Sequence, residues 1–167
     1  MLNNPSSPKS FRGEGLPRVL IAEDNSDLRD MIAASILRDC PFAFDFAVDG
    51  ADALARYQAA RTEQWAYDLL VLDNQMPEHT GIEILETVRA GGDEKTPVAL
   101  FTCYLENADQ ERARRAGILG VWQKPDGIID LKQRIMRALR LSEQSAVFNL
   151  SDCVRPSVAG RMEGTLA

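Results

Sequence analysis

The sequence predicts an α/β protein built around a parallel β-sheet that helices cover on both faces. Five strand-like segments recur along the chain, most of them as short continuous apolar runs, and each precedes a stretch with helical spacing of apolar residues. Continuous apolar runs are typical of parallel strands buried on both faces. With 167 residues, 45% of them hydrophobic, the chain is long enough for one domain with a substantial core.

The first two strand–helix pairs are predicted in the first third of the chain. The first strand covers Val19–Ala22, and either Asn25 or Ser26 caps the helix that follows. The apolar positions of this helix recur at helical spacing, namely Leu28, Met31, Ile32 and Ile36. The second strand shows an alternation of apolar residues, namely Phe42, Phe44, Phe46 and Val48. Asp49 is then placed to cap a second helix, whose apolar positions are Ala51, Leu54 and Ala55.

The third pair carries the strongest signal of a buried strand, Leu69–Leu72. A loop through Pro77 and Gly81 leads to a helix that ends at Gly91–Gly92, with apolar positions Ile82, Ile84, Leu85 and Val88.

The last two pairs complete the pattern. A fourth strand is predicted over Val98–Phe101, a polar helix from Asn107 to Ala116, and a fifth strand within Ile118–Trp122. The final helix has a long apolar stripe, formed by Ile128, Ile129, Leu131, Ile135, Leu139 and Leu141.

Five polar residues are expected to meet at the carboxyl ends of the strands, where open parallel sheets bind their ligands. Glu23 and Asp24 follow the first strand, Asp73 follows the third, Thr102 ends the fourth, and the fifth runs into Lys124. Taken singly, each has an ordinary role as a helix cap, turn residue, strand residue or solvated charge. Together they place three carboxylates, one hydroxyl and one ammonium on one rim.

The three carboxylates need a counter-charge. Two carboxylates about 4 Å apart repel by roughly 4 kcal/mol at an effective dielectric constant near 20. Such a cluster is typical of a cation site, or of a carboxyl group with a raised pKa. Because no His or Cys accompanies the acidic residues, the oxygen donors favour Mg²⁺ or Mn²⁺ over zinc. The ammonium and hydroxyl then suit an anion held on the metal, as in a phosphoryl site.

These motifs, in this order on five strand–helix units, resemble the receiver domain of two-component response regulators. The motifs are Glu23-Asp24, the run Asp-Asn-Gln-Met-Pro-Glu-His-Thr-Gly over 73–81, Thr102 and Lys124-Pro125. The resemblance covers about Arg18 to Leu141. It implies a flavodoxin-like, doubly wound five-stranded parallel sheet of strand order 2-1-3-4-5.

The resemblance also implies a role for each residue. Asp73 is the phosphoacceptor that takes a phosphoryl group from a sensor histidine kinase or a phosphotransfer protein. Glu23, Asp24, Asp73 and the backbone carbonyl of Gln75 hold Mg²⁺ (or Mn²⁺). Lys124 pairs with the acyl phosphate, and Thr102 donates a hydrogen bond to it. The Lys124–Pro125 peptide bond is expected to be cis.

Several positions depart from the family pattern, and the departure that bears on the switch lies in the fifth strand. Where an aromatic residue usually couples to the threonine, this chain has Val121, and the neighbouring Trp122 is expected to point to the opposite face of the strand. The aromatic form of the switch is therefore in question, with Tyr104 as a substitute. The bulk of Tyr104 is also expected to limit the access of water to the acyl phosphate.

Composition narrows the classes of function. The net charge of −6, from 19 basic and 25 acidic residues, argues against a sequence-independent nucleic-acid binder. No stretch approaches the roughly 20 apolar residues of a membrane span, and Met1–Pro17 lacks the apolar core of a signal peptide. Three distant cysteines, Cys40, Cys103 and Cys153, fit neither a disulfide framework nor a zinc site. We therefore expect a cytoplasmic protein without direct nucleic-acid contact or membrane insertion.

The expected organisation is a flexible arm over 1–16, a receiver over 17–142 and a tail over 143–167 without an output domain. This predicts a single-domain regulator that is no enzyme beyond its own phosphotransfer and dephosphorylation. It would act on a downstream protein target or as a phosphoryl shuttle or sink. The basic last two helices or the tail suit a homodimer, although a solvated helix face explains their charge more simply.

Two other functions remain open. One is a pseudo-receiver that binds partners without phosphorylation. The other, less favoured, is an aspartate-nucleophile phosphatase, which would need an Asp-x-Asp pair after the first strand, where this chain has Glu-Asp-Asn-Ser. His79, the single histidine, is interpreted as a plain loop residue because it lacks partner ligands.

Overall fold

Strands and helices alternate along the part of the chain that the structure describes. This structure is a computed structural model that describes residues 16–36, 41–63, 65–124 and 126–142. The strands are β1 (Arg18–Ala22), β2 (Ala43–Ala47), β3 (Leu69–Leu72), β4 (Val98–Thr102) and β5 (Gly120–Gln123). The helices are α1 (Ser26–Ile36), α2 (Gly50–Thr62), α3 (Gly81–Ala90), α4 (Asn107–Arg115) and α5 (Asp126–Ser142). The predicted α/β class is confirmed.

The five strands form one parallel sheet in the order β2-β1-β3-β4-β5, as expected for the doubly wound flavodoxin-like fold. Ala22 of β1 pairs with Leu72 of β3, and Leu72 pairs with Leu100 of β4. Every residue of β1, β3 and β4 is buried. Since β1 and β3 end in register, the residues that follow them emerge side by side at one edge of the sheet, and β4 extends two residues further to Thr102.

Two apolar cores lie on opposite faces of the sheet. One includes Ile32 and Ile36 of α1 together with Leu131 and Ile135 of α5. The other includes buried residues of α2, α3 and α4, among them Tyr57, Leu85 and Ala113. Trp122 belongs to the first core, whereas Val121 packs against the second. This confirms that these two neighbours point to opposite faces of β5.

The predicted helix starts are also confirmed. Asn25, one of the two candidates, caps α1, because its Oδ1 accepts a hydrogen bond from the Leu28 N–H at 3.1 Å. Asp49 caps α2 by accepting a hydrogen bond from the Asp52 N–H. Each cap satisfies a backbone donor that has no partner within its helix.

The predicted buried faces of α1 and α2 were partly wrong. Met31 is 57% exposed, although Ile32 and Ile36 face the core as expected. In α2 the core side is formed by Ala53, Tyr57 and Ala60, whereas Ala51 and Ala55 are exposed and Leu54 is half-buried. The ring of Tyr57 is buried because its hydroxyl donates to Asp93 Oδ2 at 2.8 Å, which satisfies the polar end of an otherwise apolar side chain.

The arginines of α4 are engaged within the domain. Arg112 pairs with Glu86 of α3 through two hydrogen bonds of 3.0 and 2.8 Å, and also contacts Asp109. Arg114 and Arg115 both pair with Glu111. The basic character of this helix is therefore largely balanced by neighbouring carboxylates.

Several expectations concern residues outside the described ranges. They are the arm before residue 16, the tail after residue 142, Cys40 and Cys153, and the Lys124–Pro125 bond. Cys103, the described cysteine, is exposed. Within the described ranges, no helix is both long and apolar enough to cross a membrane.

Candidate functional site

The site begins where β1 and β3 end. Glu23 and Asp73 follow directly after the paired residues Ala22 and Leu72. The Asp73 N–H donates to the carbonyl of Ala22 at 2.9 Å, and the Glu23 N–H donates to the carbonyl of Ala47 at 3.1 Å. Backbone pairing thus continues one residue past the strands, and it places two acidic side chains next to each other.

Three carboxylates meet at this point. Glu23, Asp24 and Asp73 each offer an oxygen, and these oxygens all lie within 4.8 Å of one another. Glu23 is 1% exposed and Asp73 is 5% exposed, whereas Asp24 is exposed. The cluster is therefore shielded from solvent at Glu23 and Asp73 and accessible to solvent at Asp24.

Lys124 supplies a positive charge to the two buried carboxylates. Its Nζ lies 2.5 Å from Glu23 Oε2 and 2.7 Å from Asp73 Oδ2, and its side chain is 7% exposed. The ammonium also lies 5.3 Å from the centre of the Phe101 ring. Burial alone would lower the pKa of Lys124, but its hydrogen bonds to the two carboxylates raise it above the ordinary value. Lys124 is accordingly protonated at neutral pH.

The same burial acts on Glu23. Desolvation raises the pKa of the Glu23 carboxyl above its ordinary value, and the hydrogen bond from Lys124 offsets part of that effect. Its second oxygen, Oε1, accepts a weak hydrogen bond from the Asn25 N–H at 3.3 Å. Glu23 is thus held at both oxygens.

The charge and donor set of the cluster fit a divalent cation. Three carboxylates, whose oxygens lie within 4.8 Å of one another, and one ammonium leave a formal excess of two negative charges in the cluster. In the described part of the chain, the Asp24 carboxylate makes no hydrogen bond or ion pair. Carboxylate oxygens are the donors that Mg²⁺ and Mn²⁺ prefer. The residues therefore fit the expected metal.

The loop from β3 to α3 carries the rest of the acidic motif. Asp73 Oδ1 accepts a hydrogen bond from the Gln75 N–H at 3.0 Å. Asn74 Oδ1 accepts one from the Ile82 N–H at 3.2 Å, which ties the loop to the first turn of α3. Glu78 has a φ of 68°, a left-handed conformation that is uncommon for a residue with a side chain.

Two glycines allow this loop to lie close to its surroundings. A Cβ on Gly81 would lie 2.7 Å from the carbonyl oxygen of Asp73. A Cβ on Gly50, at the start of α2, would lie 2.2 Å from the carbonyl oxygen of His79. Sequence reasoning included Gly81 in its motif but missed Gly50, because a glycine beside a helix cap has no local signal of a distant contact.

Thr102 lies at the neighbouring strand end, with a different partner. It is fully buried, and its Oγ1 donates to the carbonyl oxygen of Tyr104 at 3.2 Å. Next to it is a cavity of about 380 Å³, whose lining includes Thr102, Tyr104, Leu105, Ala113 and Val121. Tyr104 is 64% exposed at this cavity. The small side chain of Val121 thus borders open space.

The structure brings four of the predicted residues together in one cluster, namely Glu23, Asp24, Asp73 and Lys124. Thr102 is adjacent in the sheet, and Gln75 contributes its N–H to Asp73. His79 is exposed in the loop between β3 and α3 and is not one of the clustered ligands.

Arg29 of α1 is a neighbour that sequence reasoning missed. Its Nη1 donates to the backbone carbonyls of Glu23 at 2.7 Å and Asp24 at 2.9 Å. An arginine one turn into a helix gives only a weak sequence signal, because such residues are common on solvated faces.

Known proteins resemble the chain in both sequence and fold. A profile of the response regulator receiver domain matches residues 19–136. The chain is 28% identical over 132 residues to the transcriptional regulatory protein ResD of Bacillus subtilis, covering 79% of the chain and 52% of that protein. It is 32% identical to the transcriptional regulatory protein TctD of Salmonella typhimurium, covering 75% and 53%. The chain thus spans about half the length of these curated relatives.

Solved structures agree with the observed fold. The chemotaxis protein CheY4 of Vibrio cholerae shares 27% identity with a TM-score of 0.63, covering 74% of this chain and 99% of that one. A CheY-like receiver domain from Methanospirillum hungatei shares 21% identity with a TM-score of 0.68, covering 79% and 100%. The second likeness supports the fold alone.

Proposed function

The chain belongs to the response regulator receiver family, and from this premise we propose that it accepts a phosphoryl group on Asp73 from a histidine kinase or a phosphotransfer protein. The observation that carries the proposal is the position of Asp73. It is the carboxylate that lies in the acidic cluster and also contacts both Lys124 and the Gln75 N–H. A nucleophile for phosphoryl transfer needs such neighbours, because negative charge accumulates on the transferred group.

The proposed transfer forms a bond between an Asp73 carboxylate oxygen and phosphorus, while the bond from phosphorus to the donor imidazole nitrogen breaks. The imidazole is the leaving group, and no oxidant or reductant takes part. Lys124, held between Glu23 and Asp73, pairs with the acyl phosphate that results. Glu23, Asp24, Asp73 and the Gln75 carbonyl would hold Mg²⁺ or Mn²⁺, which would supply positive charge to neutralise the phosphoryl group.

Thr102 is proposed to bind a phosphoryl oxygen after a local rearrangement. Its hydroxyl now donates to the Tyr104 carbonyl, so that bond must break before Thr102 can donate to the phosphoryl group. The cavity beside Thr102 and Val121 offers space for the accompanying movement. We propose that this movement biases the surface formed by α4, β5 and α5. Only a few kcal/mol of differential binding are needed to shift such a two-state surface.

The proposed output is protein–protein contact or onward transfer of the phosphoryl group. The acidic net charge disfavours a sequence-independent nucleic-acid role for this chain, and the α4 arginines already pair with carboxylates. Because the chain spans about half of the curated relatives, their activities as transcriptional regulators are not carried over to it. We also propose a cytoplasmic location, which two-component phosphotransfer implies.

Beryllofluoride, a mimic of a bound phosphoryl group, tests the proposal. In the presence of Mg²⁺, it should produce saturable shifts of backbone amide resonances at Asp73, Thr102 and Lys124. The shifts should vanish in Asp73→Asn and persist in Glu94→Gln, a control at an exposed carboxylate in the turn between α3 and β4. A folded protein that gives no response would contradict the proposal and favour the pseudo-receiver.

A further inference from the structure

Arg29 links the first helix to the acidic cluster. Its Nη1 donates to two backbone carbonyls, those of Glu23 at 2.7 Å and Asp24 at 2.9 Å. The side chain is half-buried, and in the described part of the chain it pairs with no carboxylate. This arginine therefore bonds to the backbone of the acidic pair, whose carboxylates face the site.

The other hydrogen bonds of this loop involve Glu23 and Asn25. The Asn25 N–H donates to Glu23 Oε1 at 3.3 Å, and Asn25 Oδ1 accepts from the Leu28 N–H at 3.1 Å. The Arg29 N–H donates to the Asn25 carbonyl at 3.0 Å. Among the described residues, Asp24 receives its one hydrogen bond from the Arg29 guanidinium.

The position of the Asp24 carboxylate thus depends on its backbone. This carboxylate is exposed and makes no hydrogen bond to any other described residue, unlike those of Glu23 and Asp73. Arg29, in turn, is anchored because Ile32 and Ile36 of the same helix are fully buried against the sheet. The guanidinium therefore connects the core to the most weakly held ligand of the cluster.

We propose that Arg29 is a positioning residue for Asp24 and, through Asp24, for the cation site. The inference rests on the proposed function, since it assumes that the carboxylate cluster binds a divalent cation. A positioning role predicts that Arg29 strengthens cation binding. The positive charge of Arg29 alone would weaken it, because a guanidinium near the site repels a cation. The sign of the change on removing Arg29 therefore separates a positioning role from a purely electrostatic one.

A titration with Mg²⁺, followed by backbone amide shifts, tests the inference. Arg29→Met keeps the apolar stem and the helix propensity but removes charge and donors. It should weaken Mg²⁺ binding by about tenfold, the usual scale for losing a residue that orients a metal ligand. Arg29→Lys keeps a charged donor and should weaken binding less than Arg29→Met. Binding that is unchanged or tighter in Arg29→Met would overturn the proposal.

Arg61→Met is the matched control. Arg61 also donates to a backbone carbonyl, that of Gly91 at 3.2 Å, but it lies in the last turn of α2. Its removal should leave Mg²⁺ affinity unchanged, and an equal loss in this variant would overturn the proposal. If the wild-type protein itself shows no saturable Mg²⁺ binding, the proposed cation site fails. If the wild type binds and only the Arg29 effect is missing, the positioning role alone fails.

Amide hydrogen exchange without metal gives a second readout. The Asn25 amide should exchange faster in both Arg29 variants, and more so in the methionine variant, while the amide of Ile36 keeps its protection. If Arg29→Met folds poorly, the exchange of the Asn25 amide in Arg29→Lys still tests the inference. Unchanged exchange at Asn25 in folded variants would contradict the inference.

Discussion

Replacing Lys124 by methionine tests the electrostatics of the site without any ligand. The substitution keeps most of the apolar stem but removes the ammonium that contacts Glu23 and Asp73. Glu23 and Asp73 are 1% and 5% exposed, so water can solvate their carboxylates in place of the ammonium only after a rearrangement. The variant leaves two buried carboxylates side by side with no cation between them.

The expected loss follows from the short distances. At separations of 2.5 and 2.7 Å, each ion pair is worth about 6 kcal/mol at an effective dielectric constant near 20, before the cost of desolvation. Desolvation of the ammonium offsets much of this attraction, and removing one partner of a buried pair typically costs about 3–5 kcal/mol. A domain of this size is stable by about 5–15 kcal/mol. We therefore expect Lys124→Met to fold with its free energy of unfolding reduced by about 3–5 kcal/mol.

Urea denaturation at neutral pH measures this loss. Lys95→Met removes a lysine from an exposed turn and should change stability by less than about 0.5 kcal/mol. Adding Glu23→Gln to Lys124→Met should restore about 2 kcal/mol, because one of the two buried charges is then removed. A loss below about 1 kcal/mol in Lys124→Met, or no restoration by Glu23→Gln, would refute the assignment of Lys124 as the counter-ion of a buried acidic pair.

Three further predictions concern other parts of the domain. Burial alone would raise the pKa of the Asp93 carboxyl. Hydrogen bonds from Thr96, Tyr57 and the Lys95 N–H outweigh this effect and lower the pKa from 3.8 to about 2. The ionised Asp93 carboxylate therefore stabilises the fold above pH 3.8, by about 1–2 kcal/mol after solvent screening. This stabilisation should disappear as the pH falls towards 2. Denaturation curves at several pH values should show a smaller acid dependence in Asp93→Asn, and an equal dependence would count against this role. Gly81→Ala should cost about 1–3 kcal/mol in urea denaturation, because its Cβ would lie 2.7 Å from both the Asp73 carbonyl and Leu100 Cδ2. Tyr104→Ala should shorten the lifetime of the phosphorylated protein by exposing the region beside Thr102 to water, and an unchanged lifetime would argue against a shielding role.

The sheet and most of the site could be predicted from the sequence because their signals are local. Leu69–Leu72 is continuously apolar, and its first polar successor is Asp73. In β1, residues Val19–Ala22 are likewise apolar, and Glu23 follows them directly. Because parallel strands in register end at the same edge of the sheet, Glu23 and Asp73 must lie close together. Predicting this requires no knowledge of long-range contacts.

The features that prediction missed depend on contacts between distant segments. The buried side of α2 includes Tyr57 because Asp93, in the turn after α3, accepts its hydroxyl hydrogen. In the sequence, the arginines of α4 indicate a basic surface, but in the structure Arg112 pairs with Glu86 of α3. The hydrogen bond from Thr102 to the Tyr104 carbonyl depends on a side-chain rotamer and a loop conformation. Periodicity carries no information on any of these.

The central claim is that Asp73 is the residue that accepts the phosphoryl group, and mass spectrometry of the phosphorylated protein tests it most directly. After incubation with Mg²⁺ and either acetyl phosphate or a histidine kinase, the wild-type chain should gain one phosphoryl group that maps to Asp73. The gain should require Mg²⁺ and should be absent from Asp73→Asn. An undiminished Mg²⁺-dependent acyl phosphate in Asp73→Asn, or a label that maps to another residue, would contradict the account.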